Sequence, residues 1–257
     1  MQGFSLGSGP DACLLLHGLT GSPAEVRPVG EALAQAGFRV LAPVLPGHGT
    51  RPEDMYGVTR AELLGAARGA LLSLAGAQRV FLCGLSAGAL LALQLAARSW
   101  GRKGLPADFS ALALLAPAVD FVGPSWIFTH VLGRLPKVRF MVGKGGRDLS
   151  VPEEAPSAYV GLPLEWGGEL FALSRESLAM AKRVRAPVLI LHGARDRTVS
   201  PSGARRLARL LASPRVEVRI LPESGHVLPL DVESAEVCRS VVSFFQGVSN
   251  GQVRPRD

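Results

Sequence analysis

The stretch Val80-Phe81-Leu82-Cys83-Gly84-Leu85-Ser86-Ala87-Gly88-Ala89-Leu90-Leu91 decides the fold. Val80–Cys83 reads as a buried strand, and Ala87–Ala97 is apolar almost all round, as expected of a helix at the centre of a molecule. Only a tight turn separates them. A strand that reverses into a helix this abruptly forces Ser86 into a strained backbone conformation, so small residues must stand on both sides of it. The strain lifts the hydroxyl clear of the sheet, and the helix N-terminus leaves the Ala87 N–H without an intrahelical acceptor. A bare G-x-S-x-G is a weak signal because Gly and Ser are common. Between an apolar strand and an apolar helix it is a strong one.

A serine hydroxyl is a poor nucleophile until a base takes its proton, and the base must itself be held by a third group. The turn therefore predicts an acid and a histidine at the ends of later strands. Val188–Leu191 runs into His192-Gly193-Ala194-Arg195-Asp196, and Val216–Leu221 runs into Pro222-Glu223-Ser224-Gly225-His226. Ser86, Asp196 and His226 stand in the order expected of such a triad on an α/β sheet. Glu223, Asp148 and Asp120 are rival acids; Glu223 lies on the histidine's own loop, a poor position from which to support it. A second oxyanion donor is expected from the turn after an early strand. His17-Gly18-Leu19-Thr20-Gly21 fits, with the Leu19 N–H joining that of Ala87. His17 and His192 read as structural residues of their turns, His48 in Pro46-Gly47-His48-Gly49 as a loop organiser, and His130 carries no signal.

Outward from these loops, short apolar runs alternate with helical patterns, the signature of an α/β fold with a mostly parallel sheet covered on both faces. Strands are expected at Ala12–Leu16, Arg39–Ala42, Val80–Cys83, Ala111–Leu115, Val188–Leu191 and Val216–Leu221, with Phe4–Leu6 a candidate edge strand. Ser22-Pro23-Ala24-Glu25 and Thr59-Arg60-Ala61-Glu62 read as capping boxes that open helices. Ser200-Pro201 begins a helix with Ala204, Leu207 and Leu211 on one side and Arg205, Arg206 and Arg209 on the other. The last helix, from about Val232, turns Val237, Val241 and Phe244 inward. Between Asp120 and Arg185 no strand is expected, and glycine and proline are frequent, as in Gly143-Lys144-Gly145-Gly146. The division is thus a core over residues 1–118 and 186–248, a helical cap over 119–185, and a polar tail over 249–257. Phe121, Trp126, Phe128, Phe140, Tyr159, Trp166 and Phe171 in the cap would suit an apolar pocket.

Composition agrees with a globular chain. Of the 257 residues, 47% are hydrophobic and 19% charged, and the three cysteines (Cys13, Cys83 and Cys238) read as buried free thiols of a reducing compartment. No apolar run approaches the roughly 20 residues of a membrane span, and the N-terminus lacks a secretory pattern, so a soluble cytoplasmic protein is expected. The formal charge of +7 raises nucleic acid as a partner, but no binding motif collects the arginines, and none is expected to bind. No phosphate loop, dinucleotide fingerprint or zinc motif occurs, so neither cofactor nor metal is expected.

Taken together, His17-Gly18-Leu19-Thr20-Gly21-Ser22-Pro23, Pro46-Gly47-His48-Gly49, Gly84-Leu85-Ser86-Ala87-Gly88, Gly193-Ala194-Arg195-Asp196 and Ser224-Gly225-His226 resemble the α/β-hydrolase family. The similarity is to its bacterial carboxylesterase branch, which includes monoacylglycerol lipases. The resemblance covers most of the chain and departs from it at Gly88-Ala89, where a second glycine is frequent. It implies a cap over an acyl-ester substrate, cleaved through an acyl-enzyme. Thioester or carbon–carbon bond hydrolysis by the same triad stays open, as does an interaction protein on a hydrolase fold.

Overall fold

A computed structural model describes residues 2–98, 109–132, 140–143, 148–150 and 158–251. Seven strands form one sheet: β1 (Phe4–Leu6), β2 (Asp11–Leu16), β3 (Arg39–Ala42), β4 (Arg79–Leu85), β5 (Ala111–Leu115), and, after the insertion, β8 (Val188–Gly193) and β9 (Val216–Leu221). Their order is β1-β3-β2-β4-β5-β8-β9, parallel throughout except for the antiparallel edge pair β1–β3. The strands run one to three residues beyond the expected bounds at β2, β4 and β8 and match them elsewhere.

The period-two pattern of the central strands explains why both faces are dry. Leu14, Leu16, Leu82, Leu112, Leu114 and Ile190 enter one core, while Cys13, Leu15, Phe81, Cys83, Leu115 and Leu191 enter the other. The first face is covered by α2 (Arg60–Leu72), α3 (Ala87–Arg98) and α6 (Pro201–Leu210), the second by α1 (Arg27–Gln35) and α7 (Ser234–Ser249). Eleven consecutive residues of α3, Ala87 to Ala97, are buried, as its all-round apolar sequence requires. The thiols of Cys13 and Cys83 lie inside the sheet, where burial pushes both far up from the ordinary thiol range.

Two local expectations divide. Thr59 and Glu62 form the full capping box of α2, with the Thr59 N–H donating to Glu62 Oε2 at 2.8 Å. Ser22 makes no side-chain cap. The chain there turns through a short 3-10 segment, Pro23–Val26, before α1 starts at Arg27, and Glu25 folds its carboxylate back over Gly21 instead of onto Ser22. The last helix also continues to Ser249, into the stretch expected as tail, whose residues 252–257 lie outside the described ones.

The chain between β5 and β8 is more ordered than glycine and proline content alone suggests. It carries α4 (Gly123–His130), a two-stranded antiparallel ribbon of β6 (Met141–Gly143) and β7 (Gly161–Pro163), and α5 (Trp166–Met180). The ribbon corrects the expectation of no strand; three residues per strand are too few to leave a periodic signal. Most of Gly143-Lys144-Gly145-Gly146 lies outside the described residues. Helix α5 packs against α3, burying Trp166, Leu170 and Leu173, and its Ser177 hydroxyl accepts a hydrogen bond from Gln94 Nε2 at 3.1 Å. No helix among the described residues is long and apolar enough to cross a membrane.

Helix α3 crosses directly over the end of β2, and glycine makes this possible. A Cβ on Gly88 would overlap the carbonyl oxygens of Leu16 and His17, and one on Gly84 would overlap the Gly88 carbonyl. Both obstacles are backbone, which has no rotamer to give. Gly88→Ala is therefore expected to destabilise the protein by about 3 kcal/mol or more, read as a lower urea midpoint. An unchanged midpoint would contradict this close approach.

Candidate active site

Strand order reverses between β2 and β4, the switch point at whose carboxyl ends open α/β sheets form their clefts. Ser86 stands there, between β4 and α3, at φ +56°. A left-handed conformation costs a non-glycine residue about 1–3 kcal/mol and persists only where the surroundings impose it. Here the Ser86 N–H donates to the Leu115 carbonyl at 2.8 Å, and the Ser86 carbonyl accepts the N–H groups of Ala89 and Leu90.

The structure brings the three expected side chains into one line. Ser86 Oγ lies 2.9 Å from His226 Nε2, and His226 Nδ1 lies 2.8 Å from Asp196 Oδ2. The acid loop and the histidine loop can meet because Gly193, at the end of β8, presents no side chain to the carbonyls of Ser224 and Gly225. Asp196 and His226 are buried, and Asp196 is held on all sides. Its Oδ1 accepts the N–H groups of Thr198 and Val199, each at 2.9 Å, and its Oδ2 also receives His192 Nε2 at 3.1 Å. Burial alone would raise this carboxyl. The charge of His226 and the hydrogen bonds from His192 and His226 outweigh burial and hold it well below the usual carboxylate range.

The rival acids stand elsewhere. Glu223 pairs with Arg195 at the surface, and Asp120 pairs with Arg206. Asp148 bonds Arg197 and Thr198 through its carboxylate, and its carbonyl accepts the His226 N–H at 2.8 Å. It thus straps the acid loop to the histidine loop, a function its sequence context did not signal.

The turn after β2 is built with equal care. The Gly18 carbonyl accepts His17 Nδ1–H at 2.8 Å and the Gly21 N–H at 3.2 Å. In a trans peptide the N–H points opposite the carbonyl, so these bonds fix the direction of the Leu19 N–H. Among the described residues neither the Leu19 nor the Ala87 N–H has an acceptor. The turn lies directly beside the serine: a Cβ on Gly18 would sit 3.5 Å from Ser86 Cβ, in ordinary contact.

Behind that turn stand two buried histidines with ring centroids 5.1 Å apart. His17 Nε2 accepts the Leu45 N–H and His48 Nε2 accepts the Thr20 N–H, each at 3.1 Å; His48 Nδ1 donates to the Pro46 carbonyl at 2.8 Å. Both rings must stay neutral to accept. Burial, then the neighbouring His48, push His17 down to about 3, and burial lowers His48 as well. His130 lies apart, stacked on Trp126 with centroids 5.1 Å apart.

A cavity of about 460 Å³ opens over Ser86 and His226, with Leu19, Phe121, Phe128, Leu162, Leu170 and Val227 in its apolar wall. Of the seven aromatic residues of the insertion that would suit an apolar pocket, Phe121 and Phe128 line it. Trp166 is buried beneath, bonding the Met55 carbonyl; Phe140 is exposed; Trp126 and Phe171 border a separate cleft; and Tyr159 faces His48. No cluster of His, Cys, Asp and Glu among the described residues is arranged to hold a metal ion.

A parallel sheet with Ser, Asp and His on the loops after β4, β8 and β9 defines an α/β-hydrolase. Within that class the chain belongs to the Hydrolase_4 family, described as serine aminopeptidase, S33, whose family model matches residues 10–233. It is 31% identical over 243 residues to the thermostable monoacylglycerol lipase of Bacillus sp. (strain H-257), covering 94% of this chain and 93% of that protein. It is 23% identical to a carboxylesterase of Bacillus subtilis (strain 168), with 95% of each chain covered. A solved metagenome-derived lipolytic enzyme shares the fold at a TM-score of 0.85 and 24% identity, covering 95% of this chain and 97% of that one.

The histidine pair sets an acid limit. Unfolded histidine takes up a proton near pH 6.5, whereas folded His17 does so near 3, so below 6.5 the unfolded state binds more protons and stability rises with pH. Unfolding free energy is expected to fall as pH drops from about 6.5 toward 3, by up to about 1.4 kcal/mol per pH unit for His17. Urea titrations should show this slope, shallower in His17→Gln; equal slopes in both proteins would contradict it.

Proposed function

We propose that the protein is a serine carboxylic-ester hydrolase acting on small acyl esters of the monoacylglycerol type through an acyl-enzyme. The observation that carries this reading is the unbroken chain Ser86–His226–Asp196 at the floor of an apolar cavity, beside two backbone N–H groups without acceptors.

His226 Nε2 takes the Ser86 proton as Oγ attacks the ester carbonyl. The carbonyl oxygen becomes an anion facing the Leu19 and Ala87 N–H groups; one such donor is typically worth about 10²–10³ in rate. The proton on His226 passes to the departing alcohol as the ester C–O bond breaks, leaving Ser86 acylated. Water then gives a proton to the same nitrogen and attacks the acyl carbon, and the collapse returns the proton to Ser86 Oγ and releases a carboxylic acid. Asp196 stays ionised, keeps the proton of neutral His226 on Nδ1 and stabilises the imidazolium.

The relatives named above support the acyl-ester class, and the apolar wall of Phe121, Phe128, Leu162 and Leu170 suits an acyl chain. Residues 119–185 act as the cap of a core formed by 1–118 and 186–248. The three free cysteines suit a cytoplasmic location, and a small-molecule ester, not nucleic acid, is the partner.

A fluorophosphonate probe is expected to label the parent protein and not Ser86→Ala; equal labelling would remove the assignment of Ser86. Asp196→Asn is expected to lower kcat by about 10⁴-fold with the fold retained, because the amide favours the wrong imidazole tautomer. Against p-nitrophenyl esters, monoacylglycerols and one thioester, the highest kcat/KM should fall on an oxygen ester. Preference for the thioester would redirect the substrate class.

A further inference from the structure

The turn that carries Leu19 contains a second strained residue. Thr20 sits at φ +65°, a backbone conformation that a β-branched residue rarely adopts. Such a conformation survives only when it is held from outside, and both backbone polar groups of Thr20 are held by distant residues. On one side its N–H donates to His48 Nε2 at 3.1 Å. On the other its carbonyl accepts the Tyr159 N–H at 2.8 Å.

Tyr159 comes from the insertion, just before β7, and its side chain grips the loop that carries His48. Its hydroxyl accepts the Thr50 N–H at 2.9 Å and donates to the Gly47 carbonyl at 3.0 Å. Its ring lies nearly parallel to that of His48, at 15° and 6.2 Å between centroids. One side chain therefore fixes the His48 loop while its own backbone fixes the carbonyl of Thr20. The two restraints on Thr20 reach it from opposite sides and share Tyr159 as their common anchor.

We propose that Tyr159 is a positioning residue for oxyanion stabilisation, seating the insertion on the turn that aims the Leu19 N–H. The inference rests on the assignment of Leu19 as an oxyanion donor. Tyr159 touches no reacting atom; it acts through Thr20 and His48. Loss of its hydroxyl frees the Gly47–Thr50 loop and loosens the seat of the Tyr159 backbone. Thr20 can then relax toward negative φ, drawing the Gly21 N–H off the Gly18 carbonyl and letting the Gly18–Leu19 peptide, with its Leu19 N–H, turn away from Ser86. The energy at stake appears when negative charge develops on the carbonyl oxygen, so the effect belongs to kcat and not to ground-state binding.

The test compares the parent with Tyr159→Phe, which keeps the ring stack and the backbone N–H, and with Tyr159→Ala, which removes the stack as well. Two inhibitors of equal chain length serve as probes. An alkyl trifluoromethyl ketone adds the serine oxygen and forms an oxyanion, whereas the alkyl methyl ketone binds without doing so. Tyr159→Phe is expected to lower kcat about tenfold with KM within about twofold, and to weaken the trifluoromethyl ketone about tenfold while leaving the methyl ketone unchanged. Tyr159→Ala should extend the same selective loss. Equal weakening of both ketones, or no weakening of either, would overturn the proposal, since a merely structural residue does not separate them. Retained fluorophosphonate labelling in Tyr159→Phe keeps this outcome distinct from failure of the serine assignment, which would show in Ser86→Ala.

Discussion

The structure depends on one close crossing, that of α3 over the end of β2. Gly84 and Gly88 let the helix backbone touch the Leu16 and His17 carbonyls, and no side chain intervenes. That contact leaves β4 no room to end gradually, so the chain turns within one residue and Ser86 takes φ +56°. The same contact sets the turn after β2 beside the serine, where a Cβ on Gly18 would fall 3.5 Å from Ser86 Cβ. The turns that carry Ser86, Leu19 and Ala87 thus arise from a single packing event. Its strain, about 1–3 kcal/mol, is carried by a helix buried along eleven residues and a sheet dry on both faces.

The electrostatics follow from burial. Asp196 stays ionised in the interior because four donors converge on its two oxygens. A buried carboxylate with fewer partners would take up a proton instead, and His226 would lose its orientation. His17 and His48 show the opposite solution: they are buried as neutral rings, each accepting one backbone N–H. By contrast, the ion pairs of the surface, such as Arg27 with Glu31 and Arg239 with Glu236, keep 43–69% of their side-chain surface exposed and contribute little to stability. The positive charge noted in the sequence is spread over such faces.

The parts of the molecule legible in the sequence are those whose signal is local. The six main strands and the turn at Ser86 are marked by apolar runs punctuated by glycine, and the cap of α2 by Thr59 and Glu62 three residues apart. The failure at Ser22 has a physical cause: Glu25 reaches toward the turn at Gly18–Gly21, a tertiary contact that a local pattern does not encode. The ribbon of β6 and β7 is too short for periodicity. Asp148, His192 and Tyr159 act through partners far along the chain or across a loop, and Tyr159 stands 112 residues from Gly47. Ser86 and His226 are farther apart still, 140 residues, but Ser86, Asp196 and His226 each stand in a strand-end turn with its own local pattern, which Asp148 and Tyr159 lack.

On the proposed mechanism, the elbow at Ser86 and the turn at Leu19 form one oxyanion site. A crystal structure of the protein phosphonylated by a fluorophosphonate tests it most directly, because the phosphoryl oxygen marks where the anion would lie. Phosphorus is expected on Ser86 Oγ with that oxygen about 2.7–3.1 Å from both the Leu19 and the Ala87 nitrogen. An oxygen turned away from either amide, or an adduct on another residue, would contradict it.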